Sequence, residues 1–182
     1  YKNFEWNVEI SHEIVKKRNL KSLKYYISKG CPYDEKTFSL SIMYDKFETT
    51  KYLYSIGCKY NSHSYVEAIF YDRLKYVKYL HSIDCETDKT LMEYCAEHDS
   101  PKCLKYLYKN NFPKSDDVIY YASKYNNFEC LKIGYNNECP WGKYTFDNIC
   151  ENGNIEMLEF VYNHGCKPTN VSLSLALLRR QE

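Results

Sequence analysis

The chain has 182 residues and a formal net charge of +1, from 25 basic and 24 acidic side chains. Such a balanced, interspersed charge gives bulk electrostatics no preference for nucleic acid or an anionic membrane. No apolar run reaches the roughly 18 to 20 residues that a bilayer-spanning helix needs, so no membrane partner is expected.

Cys31, Cys58, Cys85, Cys139 and Cys166 stand 27 residues apart or at multiples of that spacing, and Phe4 and Phe112 fall on the same register. Six full units follow without insertion or deletion, over 4–30, 31–57, 58–84, 85–111, 112–138 and 139–165, with a partial seventh over 166–182. A fixed period of this size marks a stacked array, in which each unit buries its apolar side against its neighbours. The chain is read as one array over 1–182, and as a segment of a longer one.

Counting positions 1 to 27 within each repeat, position 4 or 5 supplies Asn7, Asp34, Asn61, Asp88, Ser115 or Asp116, and Thr169 or Asn170, all helix N-cap residues. Apolar or small residues then recur at positions 8, 11 and 12, as in Phe38, Ser41, Ile42 and in Ile119, Ala122, Ser123. This spacing of three and four is one face of an α-helix, helix A. A tight turn is predicted at positions 15 and 16, from pairs such as Asp45-Lys46 and Asn126-Asn127. Helix B follows, with Leu20, Phe47, Leu74, Phe128 and Ile155 at position 17 and mostly leucine at position 20, where Thr50 is the exception. Gly30, Gly57, Asn111 and Gly165 at position 27 end helix B in a left-handed conformation. Pro32, Pro113 and Pro140 prevent its continuation.

Two repeats are irregular. Pro101 opens a helix B, which a first turn tolerates, and Gly134 lies inside another, at a cost of about 1 kcal/mol relative to alanine. The C-terminal run containing Leu175 and Leu178 is a helix A without its helix B. Self-association through that uncovered end is expected. No β-type alternation survives, so the expected fold is all-α: a solenoid of helix-turn-helix repeats.

Nine cysteines are an odd number, and five of them share one repeat position. Disulfides need Cα atoms within about 7 Å, whereas stacked helices lie roughly 8 to 10 Å apart. Equivalent cysteines therefore should not pair. Their use as small buried apolar residues fits a reducing, cytoplasmic location. The 21 tyrosines accompany abundant lysine and asparagine, a bias that AT-rich coding also produces. Tyrosine abundance alone therefore carries no functional argument.

The run Ile149-Cys-Glu-Asn-Gly-Asn-Ile-Glu-Met-Leu-Glu-Phe-Val-Tyr-Asn-His-Gly165 resembles the second half of an ankyrin repeat. With its Cys139-Pro-Trp opening and 27-residue period, the chain is similar over residues 4 to 182 to the degenerate ankyrin-like arrays of giant DNA viruses and their amoebal hosts. The Thr-Pro-Leu-His box of ankyrin repeats is reduced to Lys36-Thr-Phe-Ser39 or Tyr144-Thr-Phe-Asp147. Each unit is about six residues shorter than the usual 33, the residues that would form the β-hairpin finger. The resemblance implies protein–protein interaction through the concave helix A surface rather than through finger tips. In such proteins an F-box sometimes shares the chain, but none occurs in these residues.

Three candidate sites follow. Lys24, Lys51, Lys78, Lys105 and Lys132 share position 21 and could track phosphates, but Glu159 ends the row and position 18 mixes both charges. The row is read as the solvated edge of helix B. His81, Cys85, Cys95 and His98 have zinc-ligand chemistry, but both cysteines fall on core positions, so no metal is expected. Positions 10, 13 and 14 point away from helix B and carry Leu40, Met43, Tyr44, Phe70, Tyr71, Tyr94, Tyr121 and Tyr125, whereas the first and sixth repeats are polar there. Aromatic enrichment confined to the middle of a surface is typical of an interface centre; composition bias or packing against a missing neighbour would produce the same pattern. No phosphate-binding glycine loop, nucleophile elbow or carboxylate pair is present, so neither catalysis nor a cofactor is expected. The expected function is a cytoplasmic adaptor that binds a host or viral protein through these residues. Two other readings remain: a structural virion or assembly component, and single-strand nucleic-acid binding by stacked tyrosines and lysines.

Overall fold

The computed structural model describes residues 6–17 and 19–172 and is all-helical, with no strand among those residues. Twelve α-helices follow in pairs: α1 (Val8–Lys17), α2 (Leu20–Ser28), α3 (Glu35–Met43), α4 (Phe47–Ser55), α5 (His63–Phe70), α6 (Leu74–Ser82), α7 (Thr90–Glu97), α8 (Pro101–Lys109), α9 (Val118–Lys124), α10 (Phe128–Asn136), α11 (Thr145–Asn152) and α12 (Ile155–Asn163). The chain divides into two compact units, 1–86 and 87–182. In the first, α1, α3 and α5 pack in succession, each against its own second helix; in the second, α7, α9 and α11 do the same.

At the entry to helix A, the position-4 side chain accepts from backbone N–H groups in every repeat but the sixth. Asp34 Oδ1 accepts from the Thr37 N–H at 2.8 Å while Thr37 reaches back to the Asp34 N–H, a reciprocal capping box. Asn7, Asn61, Asp88, Ser115 and Thr169 accept in the same way from N–H groups two or three residues on. The sixth repeat has no side chain there, and the Gly142 carbonyl alone accepts from Thr145.

Both helices of a repeat end alike, and this repetition appears directly in the backbone. Among the described residues, all seven non-glycine residues with positive φ lie at position 15 (Asp45, Asp72, Asp99, Asn126) or position 27 (Asp84, Asn111, Glu138). Gly30, Gly57, Gly153 and Gly165 complete the two sets. At the end of helix B the next N–H closes a six-residue ring back to position 23, as in Cys58 to Leu53 at 3.0 Å and Cys166 to Val161 at 2.9 Å. This Schellman arrangement satisfies carbonyls that the helix leaves open. It explains the invariable cysteine or phenylalanine at position 1 among the described residues: that residue is drawn inward by the closing bond, and Cys31, Cys58, Cys85, Phe112 and Cys166 are buried.

A second closure comes from the aromatic two residues later. Tyr33, Tyr60 and Trp141 each donate, at 3.1 to 3.2 Å, to the position-26 carbonyl of their own helix B. The loop between repeats is thereby tied to the helix it has still to pass.

Positions 8, 11, 12 and 20 supply most of the core as expected, whereas position 17 is only half-buried and Ile155 there is 70% exposed. Phe38, Ile42, Ala68, Ile69, Met92, Cys95, Ala96, Ile119, Ala122 and Ile149 are wholly buried, as are Val77, Leu104 and Leu131 on helix B. Thr50 breaks the leucine pattern without leaving an orphan, because its hydroxyl meets that of buried Ser41 at 2.7 Å. A Cβ on Gly134 would sit 3.1 Å from both Val118 and Ile119, so this glycine is where α10 crosses closest to α9. The backbone-entropy cost read from the sequence is therefore the cost of that close approach. Pro101 occupies the first turn of α8, as expected. Leu175 and Leu178, the basis for expecting association through the C-terminal end, lie outside the described residues.

Polar groups seal neighbouring repeats. Arg73 donates to the carbonyls of Ile42 and Met43, and Asn127 to those of Ala96 and Glu97, so position 16 of one repeat caps helix A of the one before. Asn152 does the same for Ser123 and Lys124.

Candidate functional site

The expected binding residues fall on the exposed side of the first helices, and each compact unit presents its own group. In the N-terminal unit, α3 and α5 leave a groove of about 360 Å³ lined by Glu35, Lys36, Leu40, Met43, His63 and Glu67. Leu40 is only 5% exposed and forms part of the groove floor rather than a free anchor. Met43 is half-buried. Tyr44, Phe70 and Tyr71 are exposed, Phe70 by 50%. The Phe70 and Tyr71 rings meet edge to face at 4.9 Å, and the Arg73 guanidinium lies 4.5 Å over the Tyr71 ring. Arg73 thus joins two functions, because the same side chain caps α3.

In the C-terminal unit, α7 and α9 bound a smaller cleft of about 140 Å³, lined by Thr90, Glu93, Tyr94, Glu97 and Tyr121. Tyr94 and Tyr121 are half-buried and Tyr125 is exposed. Glu93 accepts from the Ser115 hydroxyl at 2.7 Å. Burial, together with the charges of Glu93, Asp117 and Glu97, pushes the Tyr121 phenol up from its ordinary pKa. A hydrogen bond to Glu97 does the same to Tyr125.

Exposed rings are not confined to these faces. Tyr25, Tyr54 and Tyr162 on second helices and Tyr144 in a loop are also exposed. Some of these have partners: Tyr54 meets the rings of Tyr60 and Tyr79, and Tyr25 that of Tyr26. The lysine row lies along the second helices, where Lys51 pairs with Glu48 at 2.7 Å and Lys132 with Glu129 at 3.0 Å. Both also lie over the ring one turn back, Lys132 at 3.9 Å from Phe128.

All nine cysteines are free thiols. Those of Cys58, Cys85 and Cys139 point to the position-4 carbonyl of the preceding repeat, at 3.2 to 3.5 Å. Burial, then the charges of Asp34 and Glu35, pushes the Cys58 thiol up to about 12. Burial foremost pushes Cys85 and Cys166 up to about 11. Such thiols are poor nucleophiles and poor metal ligands. Of the four residues with zinc-ligand chemistry, Cys85 and Cys95 are buried, and His98 lies parallel to the Tyr94 ring at 6.2 Å. Among the described residues no cluster of three or more His, Cys, Asp or Glu side chains has a metal-binding arrangement. No helix among them is long and apolar enough to cross a membrane.

Glu93 and Glu97 escape a search for aromatic positions alone. The signal for them is their spacing: Thr90, Glu93, Tyr94 and Glu97 stand at i, i+3, i+4 and i+7, one face of α7. No protein-family model matches the chain, and no curated protein matches it.

Proposed function

We propose that the chain is a non-enzymatic, ankyrin-like repeat solenoid that works in the cytoplasm by binding a protein partner on the exposed side of its first helices. The observation that carries this reading is the pair Phe70 and Tyr71. Two large rings stand exposed at the end of α5, in contact with each other, on a helix that also lines a groove together with Leu40 and Met43 of α3. Burying such rings against a partner is what interface anchors do, and leaving them in water does nothing for the core. The regular succession of first helices within each compact unit supports the solenoid, and the backbone period of position 15 and position 27 supports the repeat. The short loops between repeats have no room for a β-hairpin finger, so the helical face is the surface through which such a module would act.

The test is a Phe70→Ser, Tyr71→Ser double variant, with Tyr162→Ser as a surface control. Both proteins should melt close to the wild type. Partner capture from extract should be retained by the control, while the double variant should lose about 2 kcal/mol or more, over thirtyfold in dissociation constant. A folded double variant that captures the same partner equally well removes the reading.

A further inference from the structure

The small cleft of the C-terminal unit has a chemistry that narrows the class of partner. Its α7 wall carries two carboxylates one turn apart, Glu93 and Glu97, with the Tyr94 ring between them; its α9 wall is the Tyr121 ring. Like charges at i,i+4 destabilise a helix by about 0.2 to 0.5 kcal/mol. Three other helix glutamates are offset by lysines: Glu13 by Lys16 and Lys17, Glu48 by Lys51, Glu129 by Lys132. Glu93 and Glu97 have no lysine or arginine within ion-pair distance among the described residues. Their hydrogen-bond partners, Ser115 and Tyr125, are neutral. Burial foremost, with the charges of Glu93 and Glu97 adding to it, makes the Tyr121 phenol harder to ionise, and a hydrogen bond to Glu97 does so for Tyr125.

Uncompensated carboxylates flanked by tyrosine faces attract one kind of group above others. A guanidinium can donate charge-assisted hydrogen bonds from its edge to carboxylates and stack its plane on a ring. The volume suits it: about 140 Å³ holds roughly four waters at about 30 Å³ each, room for one guanidinium and its last methylenes. We infer that the α7–α9 cleft is a pocket for an arginine side chain of the partner polypeptide, gripped by Glu93 and Glu97 and covered by Tyr94 and Tyr121. This inference rests on the protein-binding reading above and names the chemistry of one contact within it. Nearby, Lys124 lies over the Tyr120 and Tyr125 rings and His98 lies parallel to the Tyr94 ring.

The test uses the whole 182-residue chain with tyrosine rings labelled for NMR. The probe is a short glycine–serine peptide carrying two arginines, compared with the same peptide carrying two citrullines, which keep the shape and lose the charge. The arginine peptide is expected to shift the Tyr94 and Tyr121 ring signals and to bind at least tenfold more tightly than the citrulline peptide. Glu93→Gln with Glu97→Gln retains acceptors for Ser115 and Tyr125, so the fold should persist while the arginine preference disappears. Equal binding of the two peptides, shifts confined to other tyrosines, or an arginine preference that survives the double variant would each overturn the assignment. Should the double variant unfold, the wild-type comparison of the two peptides and the location of the shifts still decide. Failure here leaves the Phe70 and Tyr71 capture result standing, and failure of capture leaves the peptide result standing, so the two readings fall separately.

Discussion

Replacing Gly57 by alanine isolates the cost of a left-handed backbone from every packing effect. Gly57 sits at φ 76°, and a Cβ built on it meets no heavy atom within 4 Å. Space is therefore no obstacle, and only the conformation opposes the methyl group. An L-residue held in this region costs about 1 to 2 kcal/mol. Against this, alanine restricts the unfolded chain and returns about 0.4 to 1 kcal/mol. The difference leaves a net loss of about 1 kcal/mol. Glu138 offers the converse at the same repeat position, with φ 65° and a side chain too long to bond its own backbone as asparagine does. Glu138→Gly should therefore stabilise by a similar amount, about 0.5 to 1 kcal/mol. Urea unfolding followed by far-UV circular dichroism measures both, as midpoint shifts in opposite directions at an unchanged slope. An unmoved midpoint for Gly57→Ala, or a lowered one for Glu138→Gly, would refute the account of position 27 as a left-handed helix end.

The remaining predictions concern packing and thiols. Leu104→Ala, at a wholly buried site, should cost about 2 to 5 kcal/mol, whereas Lys78→Ala on the exposed side should change stability by about 0.5 kcal/mol or less; equal sensitivity would mean the facing of α6 and α8 is wrong. Denatured without reductant and alkylated, the protein should gain nine labels by intact mass. In the folded state Cys58, Cys85 and Cys166 should resist iodoacetamide at pH 8, because their raised pKa keeps the thiolate a minor species, and reactivity should climb with pH while the fold persists. Rapid labelling of Cys58 in folded protein at pH 8 would contradict its burial.

The helices were legible because each signal in them is local. Asp34, Asn61 and Ser115 advertise a cap by chemistry and position, and the three-and-four spacing of Phe38, Ser41 and Ile42 names the buried face. Gly30 and Gly57 mark left-handed ends plainly, but Asp84 and Glu138 do the same duty without the residue type that announces it. There only the period, not the residue, carries the information. The role of Tyr33, Tyr60 and Trp141 was hidden for another reason: an aromatic that donates to a carbonyl 23 residues ahead looks, in sequence, like any apolar side chain. Burial of Leu40 was equally invisible, since its helix position is outward and its burial comes from packing that the local pattern does not show. The same limit applies to the α7–α9 cleft, whose second wall, Tyr121, lies 27 residues from Tyr94 along the chain.

Polar contacts between successive repeats show what the variation from one repeat to the next has to preserve. At three junctions the side chain at position 9 reaches the cap residue at position 4 of the following repeat: His12 meets Asp34 at 2.8 Å, Ser115 donates to Glu93 at 2.7 Å, and Thr169 donates to Asp147 at 2.6 Å. In the first pair the acid stands at position 4; in the other two it stands at position 9. The residues change among these three pairs, yet in each a carboxylate faces a nitrogen or a hydroxyl. Each pair is also tied to helix initiation, because the position-4 group caps its own helix A at the same time. Exchanging the second and fifth repeats would therefore set Asp34 opposite Glu93, two carboxylates in a site built for one. Stability in such an array is a sum over repeats and their nearest neighbours, so a mismatch of this kind is charged to one interface and leaves the backbone of both repeats intact. At these three junctions the 27-residue unit is thus interchangeable in its turns and caps but not in its neighbour.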